Sequence, residues 1–174
     1  MEADRKAEFR SEYLNGVVYA MSGGSHGHAR LIARAGGLLE SLLENGPCST
    51  TVSDLRLRIG KRNAYVYPDV MVICGAAEYD EGATDIVKNP VLVAEVLSPS
   101  TESWDRGGKF ARYQTVESLR EYVLISQDEM RVEWFTKLPD GDWRYAVAEG
   151  PGADCKLAEL GVTISLDELY RKIL

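Results

Sequence analysis

The sequence predicts an α/β (α+β) fold, and three observations carry that expectation. Residues 70–74 and 91–97 are almost continuously apolar, the pattern of strands buried on both faces. Residues 29–44 repeat Leu31, Ile32, Ala35, Leu38, Leu39, Leu42 and Leu43 at helical spacing, and residues 104–116 read as a second helix. Residues 131–137 and 143–147 flank Pro139-Asp140-Gly141, the turn chemistry of a C-terminal β-hairpin.

Taken in order, residues 1–14 are polar and helix-compatible, with Glu12 just ahead of the Asn15-Gly16 turn signal and the strand-like residues 17–21. The glycine-rich loop 22–28 lacks the Gly-Lys-Ser/Thr ending of a nucleotide-binding loop. His26 and His28 stand two apart at the entrance of helix 29–44, so they do not share a helix face, and no His/Cys partner set completes a zinc site. For His28 the better expectation is a role at the helix N-terminus or a hydrogen bond near a site. Asn45-Gly46-Pro47 stops the helix. Strands follow over residues 48–59, where Leu55, Leu57 and Ile59 alternate with Arg56 and Arg58. One face goes to the core, and the other presents cations that continue into Lys61 and Arg62.

Residues 65–74 read as the next strand, and residues 75–89 as an acid-rich loop whose Glu78, Asp80, Glu81 and Asp85 are solvated. Pro90 restarts the chain into strand 91–97, which Pro99 ends; residues 121–126 resume strand. The tail carries a short strand near residues 162–164 and a helix that Ser165 caps ahead of Leu166, Leu169 and Ile173.

Composition narrows the function classes. A chain of 174 residues, 45% of them hydrophobic, can bury one core as a single domain over residues 1–174. Its 20 Lys+Arg against 27 Asp+Glu give a net charge of −7, so nucleic-acid binding requires a local basic patch. Cys48, Cys74 and Cys155 are widely spaced and odd in number, suggesting neither a disulfide framework nor a zinc cage. With no leader pattern and no apolar run of membrane-spanning length, the expected compartment is a reducing cytoplasm, with no membrane partner.

Glu95 is the odd residue, because it interrupts an otherwise apolar central strand. An ionised carboxylate there is costly unless a cation or donors compensate it. Asp69 opens the other apolar strand after Pro68 and has a similar need. If the two strands are neighbours, both carboxylates converge on one divalent ion, and oxygen-only ligands favour Mg²⁺ or Mn²⁺. The alternative is that each acid is neutralised by an arginine or caps a turn. Asp105, Lys109 and Tyr113 are four residues apart and share one helix face, with Arg112 beside them. A lysine so presented orients or deprotonates an attacking water and stabilises developing phosphoryl charge. The plain alternative is an Asp105–Lys109 surface pair worth ~0.5 kcal/mol or less.

Pro68-Asp69, Glu95-Val96-Leu97-Ser98-Pro99-Ser100-Thr101, Asp105-Arg106-Gly107-Gly108-Lys109-Phe110 and Tyr113 together resemble the Uma-two family of bacterial restriction-endonuclease-like proteins, within the PD-(D/E)XK nuclease superfamily. Glu12-Tyr13-Leu14-Asn15-Gly16, His28 and Ser53-Asp54-Leu55-Arg56 match as well, so the likeness runs through most of the chain to Ile125. The resemblance implies a restriction-endonuclease-like mixed central sheet flanked by helices. It also implies a Mg²⁺- or Mn²⁺-dependent endonuclease acting on DNA, in which Asp69, Glu95 and the carbonyl of Val96 hold the metal. The superfamily pattern puts a lysine two residues after the glutamate, where this chain has Leu97. The implied replacement is Lys109, on the following helix. Glu12 resembles the N-terminal helical glutamate that assists such metal sites; Tyr113, Arg56 and Arg58 are expected to contact substrate or brace the site, and His28 to be auxiliary. A homodimer is a further expectation, since duplex-cutting nucleases often pair two sites. Two other readings stay open: a non-catalytic nucleic-acid-binding or protein-interaction module on the same fold, and hydrolysis of a small phosphoester.

Overall fold

A computed structural model describes residues 10–21 and 23–174. Its centre is a mixed six-stranded sheet in the order β11-β10-β9-β8-β6-β3. The strands are β3 (Cys48–Val52), β6 (Val70–Cys74), β8 (Leu92–Leu97), β9 (Glu121–Ser126), β10 (Arg131–Lys137) and β11 (Trp143–Glu149). Only β8 and β9 pair in parallel; the other neighbours are antiparallel. The expected C-terminal hairpin is present and extends this sheet rather than standing apart from it.

Each face of the central sheet carries its own core. On one face, α1 (His26–Leu43) and α4 (Leu166–Tyr170) pack with β12 (Asp154–Leu157) and β13 (Val162–Ser165) against Val70, Val72, Leu92, Ala94 and Val96. On the other face lies a second, five-stranded sheet in the order β2-β1-β5-β4-β7. It comprises β1 (Ser11–Leu14), β2 (Val17–Ala20), β4 (Arg56–Ile59), β5 (Ala64–Val66) and β7 (Ile86–Val87). The same face holds one helical stretch in three parts: α2 (Glu102–Trp104), a π-helical turn (Asp105–Lys109) and α3 (Phe110–Tyr113). Met71, Ile73, Val93, Leu97 and Tyr113 fill this second core.

Strand alternation explains the division. Leu92, Ala94 and Val96 point to the α1 side, and Val93, Glu95 and Leu97 to the other. Glu95 therefore projects between the two sheets.

Several expectations are corrected. Residues 11–14 form a strand rather than a helix: Asn15 (φ 49°) and Gly16 (φ 95°) make a two-residue turn that pairs β1 with β2, and β1 also pairs with β5. Glu12 is thus a strand residue, and residues 1–9 of the expected N-terminal helix lie outside the described residues. The strand expected over 65–74 breaks at Tyr67-Pro68-Asp69, so that β5 joins one sheet and β6 the other. Pro68 has no N–H for a ladder and suits the crossing point. The acid-rich loop contains β7, which runs parallel to β4, and β12 is a strand the pattern did not suggest. Ser165 precedes α4 in extended geometry, but its side chain makes no cap hydrogen bond. Cys48 and Cys74 face each other across β3 and β6 and form a disulfide, while Cys155 is buried and free. The cysteine usage therefore no longer speaks for a reducing compartment. Among the described residues, no helix is long and apolar enough to cross a membrane.

Glu121, at the start of β9, is fully buried, accepts one hydrogen bond from the backbone N–H of Glu159, and has a second oxygen with no partner. Burial pushes its carboxyl up to about 7, with the Glu159 carboxylate adding to the effect and backbone donors opposing it. A carboxyl raised in the fold makes the native state bind more protons than the unfolded chain, so stability is full below the ordinary glutamate range and is lost as pH rises through about 7. Glu121→Gln is expected to raise stability at pH ~8 by on the order of 1–3 kcal/mol and to give no gain at pH ~4. Urea denaturation at the two pH values checks this.

Candidate active site

The antiparallel pairing of β6 with β8 sets Val70 opposite Ala94 and Met71 opposite Val93. One residue before β6, on the same face as Met71, Asp69 therefore comes up beside Glu95. The contacts agree: Asp69 Oδ2 accepts the backbone N–H of Val96 at 2.8 Å. The two acids that the sequence singled out are neighbours across two strands, at the seam where the sheets separate.

Lys109 enters this seam from the helical stretch. Its Nζ lies 2.9 Å from Glu95 Oε1, 3.5 Å from Asp105 Oδ1 and 3.6 Å from Glu12 Oε1. The Asp105–Lys109 pair is not on the surface, since the two residues are 2% and 6% exposed. The π-helical turn brings both side chains inward, and the hydroxyl of Tyr122 fixes its start by donating to the Asp105 carbonyl at 3.0 Å. Asp105 is the site residue that sequence reasoning missed as such. Its four-residue spacing from Lys109 was visible, but its burial was not.

Three further groups brace the acids. Tyr113 is fully buried and its hydroxyl donates to Glu95 Oε1 at 2.6 Å, so it holds Glu95 and cannot reach substrate. Glu12 Oε1 accepts the Tyr67 N–H at 3.4 Å, where β1 passes the Tyr67-Pro68-Asp69 break. Ser25 caps α1 by accepting the His28 N–H at 3.1 Å, which sets His28 in the first turn. From there His28 Nε2 donates to the Val96 carbonyl at 3.0 Å and lies 3.6 Å from Asp69 Oδ2. A Cβ on Gly24 would come within 2.5 Å of the His28 ring, so glycine is what lets the loop lie against it.

Arg56 and Arg58 do not join the site. Arg56 is buried, pairs with Asp85 and stacks over the Tyr67 ring; Arg58 pairs with Asp80, which also accepts from the Tyr65 hydroxyl. Two acids of loop 75–89 expected to be solvated, Asp80 and Asp85, instead neutralise these arginines, while Glu78 and Glu81 are exposed as expected. Leu97 is 5% exposed and packs into the second core, so the position of the superfamily lysine is apolar filling.

The electrostatics of the cluster are lopsided. Burial pushes the Glu95 carboxyl up to about 8, with Asp69 and Asp105 adding to the effect, although Lys109 opposes it. Burial also raises Asp69, against the Val96 N–H, Lys109 and His28. Burial would lower Lys109, but the carboxylates of Glu95, Glu12 and Asp105 outweigh it and hold the ammonium well above its ordinary range. Lys109 is thus held as a cation by the acids around it. Glu12, Asp69, Glu95 and Asp105 supply more negative charge than Lys109 neutralises, a donor set suited to a hard divalent cation. They border a cavity of about 340 Å³ together with His28, Tyr67, Val96, Ser98, Trp104 and Gln127.

Removing the ammonium should be costly in metal-free protein. Lys109→Met is expected to lower stability by about 2–4 kcal/mol, because it strands buried carboxylates that one cation had compensated. Protonation of Glu95 limits the loss. Urea denaturation in the presence of chelator measures it.

Known proteins resemble this chain in sequence and in fold. The family described as "Uma2: Putative restriction endonuclease" matches residues 1–167. The uncharacterized protein slr1290 of Synechocystis sp. (strain ATCC 27184 / PCC 6803 / Kazusa) is 35% identical over 172 residues, covering 98% of this chain and 88% of the relative. A second protein of that organism, the uncharacterized protein sll1609, is 34% identical over 158 residues, covering 91% and 89%. Among solved structures, the fold is similar to that of "a putative nuclease belonging to DUF820 from Anabaena variabilis ATCC 29413", with a TM-score of 0.79, 18% identity, and coverage of 97% of this chain and 93% of that one. The chain belongs to the Uma-two family of restriction-endonuclease-like proteins.

Proposed function

We propose that this chain is a metal-dependent endonuclease that hydrolyses phosphodiester bonds in DNA. The observation that carries the reading is the excess of carboxylate over cation: Glu12, Glu95 and Asp105 lie within 3.6 Å of the Lys109 ammonium, the half-buried Asp69 adjoins them at Val96, and Glu95 stays pushed up to about 8 even with the ammonium 2.9 Å away. Asp69, Glu95 and the carbonyl of Val96 would hold the ion, and this all-oxygen set fits Mg²⁺ or Mn²⁺. A bound divalent ion would supply Lewis-acid polarisation of the phosphoryl group and a more acidic water.

The protein groups then take distinct roles. Lys109, held as a cation, orients the nucleophilic water and stabilises charge building on the phosphoryl oxygens. Glu12 is close enough to the ammonium to share in orienting that water. Tyr113 fixes the Glu95 carboxylate, and His28 fixes the Val96 carbonyl beside Asp69. Because Glu95 must lose its proton to bind metal, affinity rises with pH toward about 8 and binding releases protons.

A non-cleaving module on the same fold is favoured by one observation: among the described residues, no three His, Cys, Asp or Glu side chains converge as a ready-made metal cage. One experiment separates the readings. Purified protein with Mg²⁺ or Mn²⁺ should cut DNA, offered both as a single strand and as a supercoiled plasmid; chelator should stop it, and Asp69→Ala or Glu95→Ala should abolish it. Lys109→Met should slow it by about 10²-fold or more, the scale of removing one positioned donor to a transition state. Equal nicking by the Asp69 variant would sink the assignment, and metal-independent binding without turnover would favour the module.

A further inference from the structure

We infer that the cavity takes an unpaired nucleic-acid strand and not an intact duplex, with Trp104 as the platform on which a base next to the reacting phosphodiester stacks; this rests on the nuclease reading above. The groups that would act on the phosphate are sunk in the seam, with Glu95 2%, Asp105 2% and Lys109 6% exposed. A duplex is a stiff rod that keeps its phosphates on its outer surface, and lowering one of them into a cavity of about 340 Å³ requires the strand to be unstacked and splayed. A single strand carries no such cost.

Trp104 lines that cavity and is built into place. The Arg112 guanidinium lies over its ring, 4.7 Å from the centroid, and is itself anchored by donating to the Gly108 carbonyl at 2.8 Å. Gly108 is required: a Cβ there would stand 2.0 Å from the ring. The indole is therefore packed closely against the π-helical turn that delivers Asp105 and Lys109. An aromatic face backed by a cation suits any nucleobase, because stacking does not read base edges. Tyr67 also borders the cavity, but it is buried, with Arg10 and Arg56 over its ring at 5.8 and 5.3 Å, so Trp104 is the ring available for stacking. The cavity thus offers an aromatic ring rather than a basic track, which is how unpaired bases are held.

The test is an anisotropy titration of the full chain with calcium in place of magnesium. The probes are a short fluorescein-labelled DNA strand, the RNA of the same sequence, and the blunt DNA duplex. One or both single strands should bind at least about tenfold more tightly than the duplex, and Trp104→Ala should remove about tenfold of that affinity, the scale of one base–aromatic stack. Trp104→Phe, which keeps a ring, should retain most of it and shows that a loss in the alanine variant is not a folding defect. Whichever of the DNA and RNA strands binds more tightly identifies the source of the ligand. The inference is overturned if the duplex binds as well as both single strands, if none of the probes binds, or if Trp104→Ala binds single strands like the wild type. Calorimetry of calcium binding separates the two levels. Duplex-preferring binding that still needs calcium and Asp69 removes this inference alone, whereas calcium binding unchanged in Asp69→Asn overturns the nuclease reading and this inference with it.

Discussion

The contact on which the site depends is the buried ion pair between Lys109 and Glu95. Three parts of the chain converge on it. The β6–β8 register brings Asp69 to the pair, the π-helical turn delivers the lysine with Asp105, and the β1–β2 hairpin carries in Glu12. A buried pair of this kind is a weak source of stability, since desolvation offsets most of the Coulomb gain. With more acid than base around it, this one is a net burden on the fold. A sheet seam that carries such a burden makes sense as a place prepared for added positive charge.

The position of the lysine follows from strand geometry. Residue 97 shares a face with Glu95, so a lysine there would meet the site directly. Here Leu97 fills the second core beside Val93 and Tyr113, and that side of the strand is given over to packing. The cation must then come from the facing element. Asp105 and Lys109, four residues apart, share one face of the helical stretch that supplies it, and Gly108 carries no Cβ where Trp104 crosses the turn.

Much of this was legible in the sequence wherever the signal was local. The apolar strands β6 and β8, the odd acid Glu95, the helix that Leu31 to Leu43 builds and the hairpin at Pro139-Asp140-Gly141 all follow from pattern and turn chemistry. What was not legible depended on pairing at a distance. Residues 11–14 look helix-compatible, and become strand only because β5 and β2 hold them. The two residues of β7 are too few to show a period, and Cys48 and Cys74 meet only once the β3–β6 register is set. Asp105 and Lys109 were spaced as a surface pair would be; nothing in that spacing reports burial. Two readings shared one cause: Arg56 and Arg58 were expected at the substrate and Asp85 and Asp80 in solvent, whereas the structure pairs them with each other.

That mutual pairing bears on how an acidic protein could engage a polyanion. With a net charge of −7, attraction would have to come from a local field, and the candidate basic strand spends its guanidinium groups on Asp80, Asp85 and the Tyr67 ring. Lys109 is buried and outnumbered by carboxylates. On the nuclease reading, the positive charge that meets a phosphate is then chiefly that of the divalent ion, in the place where the acids are densest. Substrate affinity and catalysis would both be gated by metal occupancy, and the same carboxylates that repel nucleic acid from the empty site would recruit the cation that draws it in.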